Sequence, residues 1–196
     1  MNSREKILEA IRKNKPTDFA LPAMERFKDQ QDDTMDRFIN VLAGIGGLCT
    51  LVEDQEPINA WMMQKKGEGV CVNAINELSG YNLDKYLNAD ANVIEGIHSF
   101  IVKGTVAVGE NGAVWIPEKN MGNRLLPFLC QQLVIVVEEK DIVSNMHEAY
   151  EKITIDEDGY GLFIAGPSKT ADIEQSLVIG AHGPLSLQVF VIKNKN

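Results

Sequence analysis

Five consecutive apolar residues, Leu133-Val134-Ile135-Val136-Val137, constrain this chain more than any other stretch. Four of the five are β-branched, and a run without polar alternation fits a strand buried on both faces. Strand-like and helix-like segments alternate around it. Residues 48–52, 69–72, 105–108, 113–116, 160–165 and 185–192 read as further strands, with a turn at Gly109-Glu110-Asn111-Gly112. Asn2 and Glu5 form a capping-box pattern that opens a first helix, with Ile7, Leu8 and Ile11 as its apolar stripe. A second helix carries Met35, Phe38, Ile39, Leu42 and Ile45 on one face and is stopped by Gly44, Gly46 and Gly47. A third begins at Pro57 and runs to about Lys65, and a short one spans 123–129. Residues 141–153 read as an amphipathic helix with Ile142, Val143, Met146 and Tyr150 inward. The alternation predicts an α/β domain over 31–196, a three-layer, open, largely parallel sheet. A helical arm, residues 1–30, precedes it, with a polar linker after its helix.

Charge and cysteine usage exclude several function classes. The chain is net −9, from 19 basic and 28 acidic residues, which argues against nonspecific binding to nucleic acid or anionic membrane. Cys49, Cys71 and Cys130 are far apart, and an iron–sulfur cluster usually needs four thiolates, so no cluster is expected on this chain alone. His98, His147 and His182 lack zinc-ligand spacing, and no metal site is expected. The N-terminal residues lack the apolar core of a signal peptide, and the near-apolar run 41–52 is too short to span a bilayer. The expected location is the cytoplasm. Two nucleotide motifs fail on position. Ser168 stands where a phosphate-binding P-loop needs glycine before its lysine, and Gly44-Ile45-Gly46-Gly47 follows a helix instead of a strand.

The densest chemistry lies near the C-terminus. Gly166-Pro167-Ser168-Lys169-Thr170-Ala171-Asp172-Ile173-Glu174 follows the apolar run 160–165, and Gly180-Ala181-His182-Gly183-Pro184 follows it. A loop leaving a buried strand is where open α/β sheets hold ligands. A short helix starting near Ser168 to Asp172 would aim free backbone N–H groups at an anion. Ser168 and Thr170 would add hydroxyl donors and Lys169 a positive charge, Gly183 would allow close backbone approach, and Gly166, which breaks the strand, completes the expected ligand-binding set. Asp172, Glu174 and His182 are the candidates for catalysis. Each has a structural alternative. Asp172 would cap a short helix with Gln175, Glu174 would pair with Lys169, and His182 would hold two loops together.

This segment resembles the C-terminal signature of the lactate utilization protein C family, the LUD-domain proteins. The resemblance implies the fold shared by ribose-5-phosphate isomerases, glucosamine-6-phosphate deaminases and CoA transferases. It also implies a non-redox part in bacterial lactate oxidation to pyruvate, beside iron–sulfur partner proteins that carry the clusters. The small anionic metabolite would sit at the signature loop. By fold analogy alone, an enzyme acting on a small sugar phosphate or acyl compound is the alternative, and a member that acts only through protein contacts is a third. A homo-oligomer is compatible with each. The chain also departs from the family pattern. Val102 and Lys103 stand where relatives carry an acidic residue and threonine, and Gln131-Gln132-Leu133 lacks the histidine that precedes their core strand.

Overall fold

A computed structural model of the chain describes residues 2–15, 33–65, 67–154, 159–171, 177–180 and 183–194. Helix α1 (Ser3–Lys13) opens with the expected reciprocal cap. Glu5 N donates to Asn2 Oδ1 at 2.9 Å and Asn2 N to Glu5 Oε2 at 3.0 Å. Then come α2 (Thr34–Gly44), β1 (Leu48–Val52), α3 (Glu56–Lys65), β2 (Val70–Asn73), α4 (Ala91–Ile94), β3 (Ile97–Lys103), β4 (Val106–Val108) and β5 (Val114–Pro117). The chain continues with α5 (Glu118–Met121), α6 (Leu126–Leu129), β6 (Gln132–Glu138), β7 (Ile142–Val143) and α7 (Met146–Lys152). Strands β8 (Gly161–Ile164), β9 (Lys169–Ala171), β10 (Leu177–Ile179) and β11 (Ser186–Ile192) complete it.

The main sheet has the order β1-β11-β6-β3-β2, and every pairing in it is parallel. The apolar run is its central strand, β6, and the pleat divides that run between two cores. Leu133, Ile135 and Val137 pack with Phe38, Leu42, Phe100, Met121 and Leu126 on one face. Val134 and Val136 pack with Ile58, Met62, Ile75 and Leu78 on the other. The result is the expected three-layer α/β arrangement. The layer over the first face also contains a second sheet, of order β7-β4-β5-β8, in which β5 runs antiparallel to β4 and β8. Its Ala107, Val114, Ile116 and Leu162 join the core of that face.

Several sequence expectations need correction. The strand at 160–165 is real but belongs to the second sheet, where β8 pairs antiparallel with β5, so the signature does not leave a strand of the parallel sheet. The signature forms no helix at Ser168. Residues Lys169–Ala171 are strand β9 and pair antiparallel with β10. The amphipathic helix starts late, at Met146, because Asn145 caps it by accepting from Glu148 N at 3.0 Å, while Ile142 and Val143 pair with β4. Tyr150 of that helix is exposed and stacks edge-on against Phe163 at 5.8 Å. Strand β3, which supplies Phe100, Ile101 and Val102 to the cores, has no counterpart in the sequence reading. The arm's polar linker lies largely outside the described residues.

Candidate functional site

The signature folds as a frame between two turns. Ser168 N donates to Pro184 O at 2.9 Å, and Gly180 N donates to Ser168 O at 3.0 Å. Gly183 lies so close that a side chain there would meet Ser168 Cβ at 3.0 Å. Lys169 donates to the carbonyl of Ile45, the residue that ends α2. A cation at that end offsets the unsatisfied carbonyls of the helix. The structure therefore brings Gly166, Ser168, Lys169 and Gly183 together beside the α2–β1 turn, with Thr170 in β9. Asp172, Glu174 and His182 lie outside the described residues.

This frame meets the parallel sheet at its amino edge, because Leu185 N donates to Gln131 O at 2.8 Å just ahead of β11 and β6. The carboxyl edge, where parallel sheets open a crevice for ligands, holds a second candidate. A cleft of about 660 Å³ there is lined by Glu53, Asp54, Glu138, Lys140, Ile192 and Lys193 among others. A smaller cavity of about 190 Å³ shares Gln55, Glu138 and Ile192 with it and adds Lys103, Ile75 and Val136. The larger volume lies within the usual range for small-molecule sites.

Glu138 is the hub of this cleft. Its Oε1 accepts from Lys103 Nζ at 3.0 Å, and its Oε2 pairs with Lys140. Lys140 first, and Lys103 second, hold the Glu138 carboxyl below the ordinary carboxylate range. The stabilisation from these contacts is present above the ordinary range and fades as acid protonates Glu138. Asp141, three residues on, is pushed the other way, by burial first and then by the charge of Glu138. At the far side, Lys193 pairs with Glu53 at 2.8 Å, and Asp54 accepts from Glu56 N at 3.0 Å at the start of α3.

Sequence reading missed this cleft, although a signal was present. Lys103, Glu138 and Lys193 are each the first charged residue after an apolar strand run. The departures noted in the sequence fall here as well. Val102 points into the core and Lys103 engages Glu138, so the pair closes the end of β3 onto the end of β6. Leu133 is an ordinary core residue.

Among the described residues, no three His, Cys, Asp or Glu side chains stand together as a metal site. No described helix is long and apolar enough to cross a membrane. Burial pushes the thiol of Cys49 up to about 11 and that of Cys130 to about 12. Neither is a ready thiolate ligand or nucleophile. At mildly alkaline pH, iodoacetamide should label Cys49 about a hundredfold, and Cys130 about a thousandfold, more slowly in the folded chain than in urea, since the thiolate is the reactive form. Mass-spectrometric labelling against time reads this directly, and fast labelling of either thiol in the folded chain would refute it.

A parallel α/β sheet with a small mixed sheet packed on one face and a glycine-framed hairpin at its amino edge defines the class of protein. The LUD domain model matches residues 91–192, more than half of the sequence, and the chain belongs to the LUD domain family. Lactate utilization protein C of Geobacillus kaustophilus (strain HTA426) is 31% identical over 96 residues, 46% of this chain and 40% of that protein. The protein of the same name from Deinococcus radiodurans is 34% identical over 90 residues, 44% of this chain and 42% of that one. The chain thus matches about two fifths of the length of these curated relatives. A crystal structure of a DUF162 family protein from Deinococcus radiodurans superposes with a TM-score of 0.61 at 16% identity, covering 82% of this chain and 96% of that chain. That likeness establishes the fold.

Proposed function

We propose that this chain is a non-redox component of a cytoplasmic lactate utilization system. It works with iron–sulfur partner proteins and holds a small anionic metabolite at the β9–β10 hairpin. The observation that carries the reading is the LUD domain match over 91–192, which spans the hairpin and the ends of β3, β6 and β11. The names of the matched relatives supply the pathway. Oxidising lactate to pyruvate removes two electrons and two protons, and the partners' clusters take the electrons. On this chain, Ser168 and Lys169 frame the base of the hairpin, and Asp172, Glu174 and His182 follow in the sequence. A negative ligand would meet the Ser168 and Thr170 hydroxyls and the Lys169 ammonium, which has three N–H donors and gives one to the Ile45 carbonyl.

Growth on lactate of a strain lacking the gene tests the reading when paired with denaturation of the purified variants. Glu174→Gln should keep stability within about 1 kcal/mol, as substitutions outside packed networks do, and should fail to restore growth. Full restoration, or a large loss of stability, would sink the claim for Glu174. The carboxyl-edge cleft favours a second reading, an enzyme acting on a small sugar phosphate or acyl compound, with Glu138 as the reacting carboxylate. Turnover by the purified chain that Glu138→Gln abolishes and Glu174→Gln spares would establish that second reading in place of the first.

A further inference from the structure

The two edges of the parallel sheet are treated differently. The β2 edge is sealed by Asn82, whose Nδ2 donates to Cys71 O at 3.0 Å and whose Oδ1 accepts from Asn73 N at 2.8 Å. One side chain thereby occupies the groups a further strand would use. Among the described residues no such seal covers β1, and no strand pairs with its outer side. Leu48 and Leu51 of this open edge are 64% and 41% exposed. They point to opposite faces of the sheet, so one element lying along the edge in the plane of the sheet would touch both. Glu53, Asp54 and Glu56 follow at the carboxyl end of the strand and are exposed.

The same chain carries an element with the complementary surface. Helix α1 buries none of its residues, and Ile7 and Ile11 of its stripe are 60% and 56% exposed. A helix of 11 residues is marginal in water without a surface to pack on. Residues 2–15 hold five basic and two acidic side chains, although the whole chain is net −9. Arg12 and Lys13 lie in the last turn. Two complementary surfaces that stay open within one copy satisfy each other between two copies. Reciprocal exchange then closes the pair with two-fold symmetry, so each contact is made twice.

We propose that α1 of one copy docks along the β1 edge of a second copy, Ile7, Leu8 and Ile11 covering Leu48 and Leu51. The helix runs parallel to the strand, which brings Arg12 and Lys13 to Glu53, Asp54 and Glu56. The docked arm also borders the carboxyl-edge cleft, which shares those three acidic residues. This assembly does not depend on the function proposed above.

The test is light-scattering mass of the full chain across a concentration series, with Ile7→Glu/Ile11→Glu in one variant and Leu48→Lys/Leu51→Lys in another. Circular dichroism checks that each variant folds, and exposed positions on an arm and an edge strand tolerate such changes. The wild type should be a dimer that weakens as salt is raised. Each variant should lose at least about tenfold in association constant. An equimolar mixture of the two variants should recover part of the dimer, because one intact helix–edge pair remains. If Leu48→Lys/Leu51→Lys does not fold, Leu51→Lys alone takes its place in the mixture. A monomeric wild type overturns the proposal, including one whose arm is protected from proteolysis within its own copy. So does a dimer that survives the helix variant, or a mixture of variants that stays monomeric.

Discussion

Alanine in place of Gly166 should lower the stability of this protein by roughly 2–4 kcal/mol, the sum of left-handed backbone strain and overpacking. Gly166 has a φ of +76°, and a Cβ there would sit 2.9 Å from the Ile45 carbonyl oxygen and 3.2 Å from Ile45 Cγ1. The nearest atom is backbone at the end of α2, so it cannot rotate away. The same carbonyl accepts from Lys169. One methyl group would therefore push against both the turn into β1 and the contact that ties the signature to it. Urea denaturation followed by circular dichroism measures the effect, with a lower midpoint and an unchanged slope expected. An unshifted midpoint accompanied by lost growth on lactate would mean that Gly166 serves a ligand and not the frame.

Gly104→Ala should cost about 3 kcal/mol, at the upper end of the usual range for overpacking a core. Gly104 joins β3 to β4, where the chain leaves the parallel sheet for the small one, and its N–H donates to Val136 O at 2.9 Å. A methyl there would lie 2.5 Å from Val114 Cγ1, 2.8 Å from Val137 Cγ1 and 3.0 Å from Ile135 Cγ2. All three neighbours are β-branched and sit in the same buried cluster, so they have little rotamer freedom with which to yield. The two sheets would have to separate. Denaturation reads the loss, and a change below about 0.5 kcal/mol would mean that the two sheets leave room for a methyl group at Gly104. Because Lys103 precedes Gly104 and pairs with Glu138, the variant should also loosen the rim of the carboxyl-edge cleft.

Much of the fold was legible wherever local chemistry and tertiary packing agree. The Asn2–Glu5 cap, the glycines that stop α2 and the exact extent of β1 all follow from residues adjacent in the chain. The reading of 141–153 broke down for a local reason as well. The apolar spacing of Ile142, Val143 and Met146 suits a helix, but Asn145 competes as a cap and strand β4 offers Ile142 and Val143 a ladder. Strand β3 was harder to see. Its sequence, Ile97-His98-Ser99-Phe100-Ile101-Val102-Lys103, mixes polar and apolar residues, because its amino half carries a hydrogen-bonded cluster. There His98 Nδ1 lies 2.9 Å from Ser99 Oγ, which in turn faces Gln132 Oε1 at 3.4 Å.

The site divides along the same line. That Gly166 to Glu174 is dense in donors, charges and turn residues can be read from the chain alone, as can its family likeness. So can the parallel character of the sheet, since β6 has no polar face to offer water. Tertiary structure alone decided that Lys169 serves the end of α2, which lies 124 residues away along the chain. It also decided that the signature meets the amino edge of the sheet, while Lys103, Glu138 and Lys193 meet at the other edge. Strand and cap preferences depend on neighbours within a few residues, so a sequence displays them. Which charged ends come together depends on strand order, and strand order is set by how two faces of one sheet are buried at once.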